Sequence, residues 1–306
     1  MALLMEFRMD TIRRLSASAG AEWLLGGFAL LKKAPLALGM LGALWGLLGT
    51  LVVFMAAVVP ALAAALQLVV AIAGPVLFAG LVWAVREVQH GRPALPAHLA
   101  RGLQGGHVPA LLTTLLPQVV AGMALGVLLL VLVGPDQLQR LSAVSEELNA
   151  MAASGVQPGP EQVQAMVAGL PAGRILLWLL LGLCVAVAVA MTVFVSVPRI
   201  VFDGRPGLAA MGDSLRASLA NLPAVLVFTL VTVIALFAIY FAVMLLALMA
   251  QAIAGPLFGA LVAQVLLMAV VMPLLAGAVL VAWGQLFAGG ATPSSPDPGA
   301  SGRLEA

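Results

Sequence analysis

Charge is what this chain has least of. Of 306 residues only 14 are lysine or arginine and 12 are aspartate or glutamate, together 8%, where soluble domains carry about 25%. A water-soluble fold of this composition would have no polar surface to show, so soluble enzymes and cytoplasmic binding modules are excluded. The net charge of +2 is small, and its distribution carries more information than its size; no nucleic-acid partner is expected. Cysteine is confined to Cys184, inside an apolar run with no disulfide partner, where it reads as a small packing residue. Of three histidines, His90, His98 and His107, the spacings are 8 and 9 with no cysteine near, which is not a compact zinc motif. No metal or cofactor is expected. Met1–Gly20 has charges scattered through it rather than an apolar core, so no secretory signal is read there.

What remains is apolar. Hydrophobic residues make up 63% of the chain and the mean hydropathy is +1.16. Runs of the roughly 20 residues needed to cross a bilayer recur along it. They are continuous and rich in leucine and alanine, unlike the alternating segments of about 10 residues in a barrel. The fold class is therefore all-α integral membrane, with six spans at about Pro35–Val59, Ala61–Val85, Pro109–Val133, Arg174–Pro198, Leu222–Ala250 and Gly255–Phe287. A helix of 25 residues is about 37 Å long against about 30 Å of hydrocarbon, so the spans should tilt. Prolines 75, 117, 198 and 273 predict kinks.

With the N-terminus inside, 12 of the 14 basic residues fall on the inner side and only Arg140 and Arg174 outside. That bias sets an N-in, C-in topology. No Asp, Glu, Lys, Arg or His lies between the ends of these spans. Such groups usually mark proton relays, and hydrolysis or acyl transfer needs a paired acid, base or nucleophile. A proton-coupled pump and an intramembrane enzyme are thereby disfavoured, and the chain is read as non-enzymatic.

Outside the spans, residues 2–17 place Glu6, Asp10, Arg13 and Arg14 on one arc and Leu4, Phe7, Ile12 and Leu15 on another, which predicts an amphipathic surface helix within an N-terminal segment 1–19. Residues 20–33 predict a second such helix, anchored by Trp23 and Phe28 and ending at Lys32-Lys33. The membrane domain proper is 20–287. Its one sizeable loop, 134–173 on the outer side, predicts two helices, one capped by Asp136 and one over Glu161–Leu170. The Gly/Pro/Ser-rich tail 288–306 predicts disorder.

A turn occurs twice. GRPALPAHLARGLQGGHVPAL begins at Gly91 and GRPGLAAMGDSLRASLANLPAV at Gly204, placing Arg92 with Arg205, Arg101 with Arg216 and Pro109 with Pro223. FALLKKAPLAL before Pro35 is a degenerate copy. Pro35 to Pro109 is 74 residues and Pro109 to Pro223 is 114; the difference of 40 is the length of Gly134–Gly173. The chain thus reads as three tandem parallel hairpin units, each preceded by a cytoplasmic interfacial helix. The segment Asp213–Pro223 resembles the Ser-x-Arg…Asn-x-Pro turn of a group of uncharacterised bacterial six-span inner-membrane proteins. The layout is similar to the membrane domain fused to some glycerophosphodiester phosphodiesterases. That resemblance implies a six-span fold and lends no activity.

Two sets of residues are candidates for function. The basic residues Lys32, Lys33, Arg92, Arg101, Arg205 and Arg216 are placed to meet anionic lipid headgroups, each worth about 1 kcal/mol; plain topology determination is the other account of them. Gln67, Gln118 and Gln264, with threonines such as Thr50, are polar within spans. Interhelical hydrogen bonding explains them, and a neutral path is the alternative. The function expected is a non-enzymatic membrane protein interacting with membrane lipid, a membrane-protein partner or a second copy of itself; the alternative is a carrier or pore for a neutral or amphiphilic solute. Gly42-x-x-x-Gly46, Gly122-x-x-x-Gly126 and Gly255-x-x-x-Gly259 predict close helix contacts.

Overall fold

The computed structural model describes residues 12–155 and 159–287, and among them there is helix but no strand. In chain order the helices are α1 (Ala19–Lys33), α2 (Pro35–Val58), α3 (Pro60–Gln89), a 3-10 helix (Pro96–Leu103), α4 (Val108–Leu112), a short 3-10 turn (Thr113–Leu115), α5 (Leu116–Leu132), α6 (Pro135–Ala153), α7 (Pro160–Val167), α8 (Ala172–Val193), α9 (Ser196–Asp203), α10 (Gly207–Ala220), α11 (Leu222–Ala254) and α12 (Pro256–Phe287). Among the described residues six stretches are long and apolar enough to cross a membrane: Pro35–Ala56, Pro60–Gln89, Val108–Leu132, Ala172–Asp203, Leu222–Ala254 and Pro256–Phe287. They coincide with the six expected spans, and the chain is a multi-pass helical membrane protein. The ends differ in one consequential way. The second stretch runs on to include Arg86 and Glu87, and the fourth runs on to include Arg199 and Asp203.

Proline starts most of these helices. Pro35 and Pro60 open α2 and α3, and Pro109, Pro117 and Pro223 lie in the first turn of α4, α5 and α11. The missing N–H costs nothing there, because first-turn donors have no intrahelical partner. Pro117 accounts for the break between α4 and α5. By contrast Pro75 and Pro273 sit inside α3 and α12, which continue through them. Gly91 (φ 76°) and Gly204 (φ 64°) end their helices in the left-handed region, and both open a Gly-Arg-Pro turn. Neither turn continues as an extended loop: the first leads to the 3-10 helix and the second to α10.

The helices form two compact units, one built from the chain up to Thr114 and from Thr192 onward, the other from Leu115–Met191. At the centre of the first is α12, packed against α2, α1, α11 and α3. One cluster of its core joins Leu38, Leu41, Leu81, Val85, Ile200 and Leu280; another joins Trp23, Val195, Ala224 and Leu286. Lipid tails are as apolar as leucine, so burial alone does not hold membrane helices together; contact between backbones does. A Cβ at Gly27 would lie 2.5 Å from Leu274 O, one at Gly20 2.0 Å from Ala224 O, and one at Gly46 2.6 Å from Val265 Cα. The Gly42–Gly46 spacing is thus a helix contact with α12, and Gly259 meets Ala247 and Gln251 of α11. Gly122 and Gly126 meet nothing within 4 Å.

Three expectations are corrected here. Residues 12–16 are not helical; residues 1–11, with most of the predicted N-terminal helix, and the tail 288–306 lie outside the described residues. Arg13 N–H donates to Leu286 O at 3.1 Å. Leu15 N–H donates to Asn221 Oδ1 at 2.7 Å, and Asn221 Nδ2 donates to Arg13 O at 3.0 Å. Backbone groups bound to Asn221 and Leu286 are not available for helix. Secondly, Trp23 is fully buried, in contact with Phe194 and Phe228, its indole N–H donating to Gln285 Oε1 at 2.8 Å. It is a core residue, not an interfacial anchor. Thirdly, Cys184 is exposed, because the buried part of α8 is confined to Met191.

In the second unit Trp178 Nε1 donates to Leu125 O at 2.9 Å, tying α8 to α5. The loop forms the two expected helices. Asp136 lies within the first turn of α6 rather than before it, and α7 ends at Val167.

The glycine contacts generate a paired expectation. Gly27→Val should destabilise the protein by about 1–3 kcal/mol, because a backbone carbonyl cannot move aside as a side chain can. Gly122→Val should leave thermal unfolding in detergent unchanged. Equal effects of the two substitutions would contradict the packing described.

Candidate functional site

Building from α9 upward, the chain breaks at Phe194–Val195 and restarts as Ser196–Asp203. The break leaves the Val195 N–H outside a helix, and Ser214 Oγ of α10 accepts it at 3.1 Å. One turn on, Arg199 is 2% exposed. Its guanidinium donates to Asp203 Oδ2 at 2.8 Å and to Asp213 Oδ2 at 2.9 Å, and lies 4.3 Å from the centre of the Phe287 ring. Gly204 then reverses the chain so that Arg205 returns to the same carboxylate, with Nε 3.1 Å from Asp213 Oδ2. Arg216, exposed on α10, stands 3.8 Å from Asp213 Oδ1. From α12, Trp283 Nε1 donates at 2.9 Å to the same Asp203 Oδ2 that accepts from Arg199.

Desolvating an arginine is expensive, and the two aspartates with their fixed geometry offset that cost. The result joins α9, α10 and the end of α12 through ion pairs and a hydrogen bond, in addition to their apolar contact.

Beside this paired network lies an unpaired one. Trp83, Phe202 and Trp283 form a row, with ring centres 5.4 and 5.3 Å apart. Arg86 is half-buried, with its guanidinium 4.1 Å from the Phe202 centre and 5.9 Å from that of Trp283. Arg101, exposed, lies 5.6 Å from Trp83. Among the described residues no ion pair or side-chain hydrogen bond involves either guanidinium. Aromatic faces hold a cation by their quadrupole without using its N–H donors, so the ring contacts leave the N–H donors of Arg86 and Arg101 unused among the described residues.

The residues singled out from sequence divide accordingly. Lys32 and Lys33 are exposed in the last turn of α1. Arg92 is exposed but forms a two-pronged ion pair with Glu87. Arg205 is occupied by Asp213, Arg216 stands near it, and Arg101 is open. Gln67 and Gln118 are exposed and Gln264 is half-buried. Gln264 and Thr50 line a groove of about 670 Å³ that Gln67 does not reach; Gln118 belongs to the Leu115–Met191 unit. Of the histidines, His98 is buried, its Nδ1 accepting the Leu95 N–H at 3.1 Å, and the His90 Nδ1–H donates to Arg86 O at 2.7 Å. Among the described residues no three His, Cys, Asp or Glu gather as metal ligands.

Sequence reasoning missed Arg86, Arg199, Asp203, Asp213 and Trp283. A signal for the first two was there: Arg86 and Arg199 each precede a Gly-Arg-Pro turn by five residues, as Arg-x-x-x-x-Gly-Arg-Pro. Arg199 and Asp203 are also an i,i+4 pair. Comparison with family models, curated proteins and solved structures gives no match.

Asp213→Asn leaves Arg199 and Arg205 short of a carboxylate in a desolvated setting and should cost about 3–5 kcal/mol. Arg216→Ala removes an exposed partner at the limit of contact and should stay within about 0.5 kcal/mol. Denaturant or thermal unfolding of the purified protein checks both, and near-equal losses would refute the assigned roles.

Proposed function

We propose that this is a non-enzymatic multi-pass protein of the bacterial inner membrane, whose basic end engages anionic lipid headgroups. The observation that carries the reading is Arg86, a half-buried cation stacked on Phe202 and Trp283 with no carboxylate partner among the described residues. Arg101, Lys32 and Lys33 add open positive charge, each worth about 1 kcal/mol toward an anionic surface. Arg92 and Arg205 contribute less, since Glu87 and Asp213 already hold them. The basic-residue bias supports an N-in, C-in arrangement with this end in the cytoplasm, where anionic lipid and inner positive charge meet. The two Arg-x-x-x-x-Gly-Arg-Pro turns, each followed by a short helix and a proline-started span, support the tandem hairpin arrangement. They also support the likeness to the uncharacterised six-span group. A partner membrane protein or a second copy presenting an acidic surface would use the same open arginines.

Native mass spectrometry in detergent tests the proposal with phosphatidylglycerol as probe. The wild-type chain should retain it, Arg86→Ala and Arg101→Ala should each weaken retention about fivefold, and Arg92→Ala should change it little. Retention should also fall as salt is raised. Equal retention of phosphatidylglycerol and the zwitterionic phosphatidylcholine, unchanged by Arg86→Ala, would overturn it.

A further inference from the structure

Arg86 and Arg101 reach one row of rings from two different elements. Trp83 and Arg86 lie in the last two turns of α3, Phe202 is next to last in α9, and Trp283 is in the last two turns of α12. Arg101 comes from the 3-10 helix, which runs along α3 with the backbones touching. A Cβ at Gly80 would lie 2.4 Å from Leu99 O, and one at Gly102 2.1 Å from Val76 O. Val76 is seven residues before Trp83, about 10 Å along a helix. The backbone beside Arg101 is therefore level with the middle of α3, while its guanidinium stands 5.6 Å from Trp83, nearer the helix end. A long side chain that carries its charge back toward the end of a span brings that charge to the level of lipid headgroups.

The two cations are separate. Arg101 touches Trp83, and Arg86 touches Phe202 and Trp283, so among the described ring contacts they share none. Trp83 and Phe202, with ring centres 5.4 Å apart, join the two places into one wall. The carboxylates next to them in sequence are already taken: Glu87 is held by Arg92, and Asp203 by Arg199. Two guanidinium forks thus present unused donors along one wall. Phosphate is an anion that such a fork fits with two parallel bonds. Filling both forks from one molecule takes two phosphate groups with a spacer between them. Tryptophan at the ends of spans marks the headgroup level, and basic pockets between spanning helices bind lipids that carry more than one phosphate.

We infer that this wall is a site for a lipid whose headgroup carries two phosphodiesters, the cardiolipin class, with one phosphate on Arg86 and the other on Arg101. The inference rests on the reading of the basic end as an anionic-lipid surface and narrows it to a doubly charged lipid. Single-phosphate lipids meet the two arginines independently, whereas a bridging headgroup makes the second contact intramolecular.

Native mass spectrometry of the full chain in detergent tests it, with cardiolipin, phosphatidylglycerol and phosphatidylcholine as probes. Cardiolipin should be retained at least about tenfold more tightly than phosphatidylglycerol. Arg86→Ala and Arg101→Ala should each cut that ratio to about two, because either of two phosphates can then meet the one guanidinium left. Arg140→Ala, in α6, should leave the ratio unchanged. Should Arg86→Ala fail to fold, Arg101→Ala decides, since Arg101 is exposed. A wild-type ratio near two, or one that Arg101→Ala leaves alone, would overturn the bridging headgroup; the anionic-lipid reading would still stand if phosphatidylglycerol were kept over phosphatidylcholine. Loss of that second preference would sink both. Deacylated cardiolipin carries the same phosphates without acyl chains and should not displace the lipid at equal concentration. Displacement would make the ligand a soluble bisphosphate and overturn the assignment to a lipid.

Discussion

The buried guanidinium of Arg199 is the constraint on which one end of the molecule depends. A desolvated cation must be met by carboxylates, and the two that meet it come from different places: Asp203 from its own helix, Asp213 from the next. To bring Asp213 back, the chain must reverse within a few residues, which Gly204 does in a conformation that other residues rarely adopt. Asp203 in turn takes the Trp283 N–H, so the end of the central helix is held by the same charge balance. A residue that looks like one more topology-setting arginine thus positions three helices.

The opposite requirement governs the apolar interior. Where no charge is available, helices are held by the nearness of their backbones, and glycine at positions 20, 27, 42 and 46 is what permits it. The same chain carries glycines at 122 and 126 that touch nothing. Identical small-residue spacing therefore produces a contact in one place and an open face in another. The difference lies in whether a second helix is brought to that face by the fold, and local sequence does not contain that information.

Asn221 shows a third way of using polar groups sparingly. Its side chain holds backbone groups of residues 13 and 15 and also Ala217 O, docking the start of the described chain against the α10–α11 junction. Pattern alone assigned residues 12–15 to an amphipathic helix, since Ile12 and Leu15 do face apolar partners. Tertiary hydrogen bonds outweigh a local helical preference when they satisfy the same backbone donors.

Six spans, their approximate ends, the helices of the loop 134–173 and the two Gly-Arg-Pro turns were legible because they rest on composition, run length and proline or glycine geometry. All of these are local properties of the chain. Which arginines are paired was not legible, because Arg92, Arg101, Arg205 and Arg216 look alike in sequence and differ in whether the turn beside them brings a carboxylate within reach. Trp23 and Arg199 were misjudged or undervalued for the same reason: burial and charge pairing are properties of two segments at once. The sequence by itself determined that the chain lives in a bilayer as six helices. Only the tertiary structure decided which polar groups of the described residues are consumed, since the turns and helix contacts, rather than residue type, set which donor and acceptor come within reach.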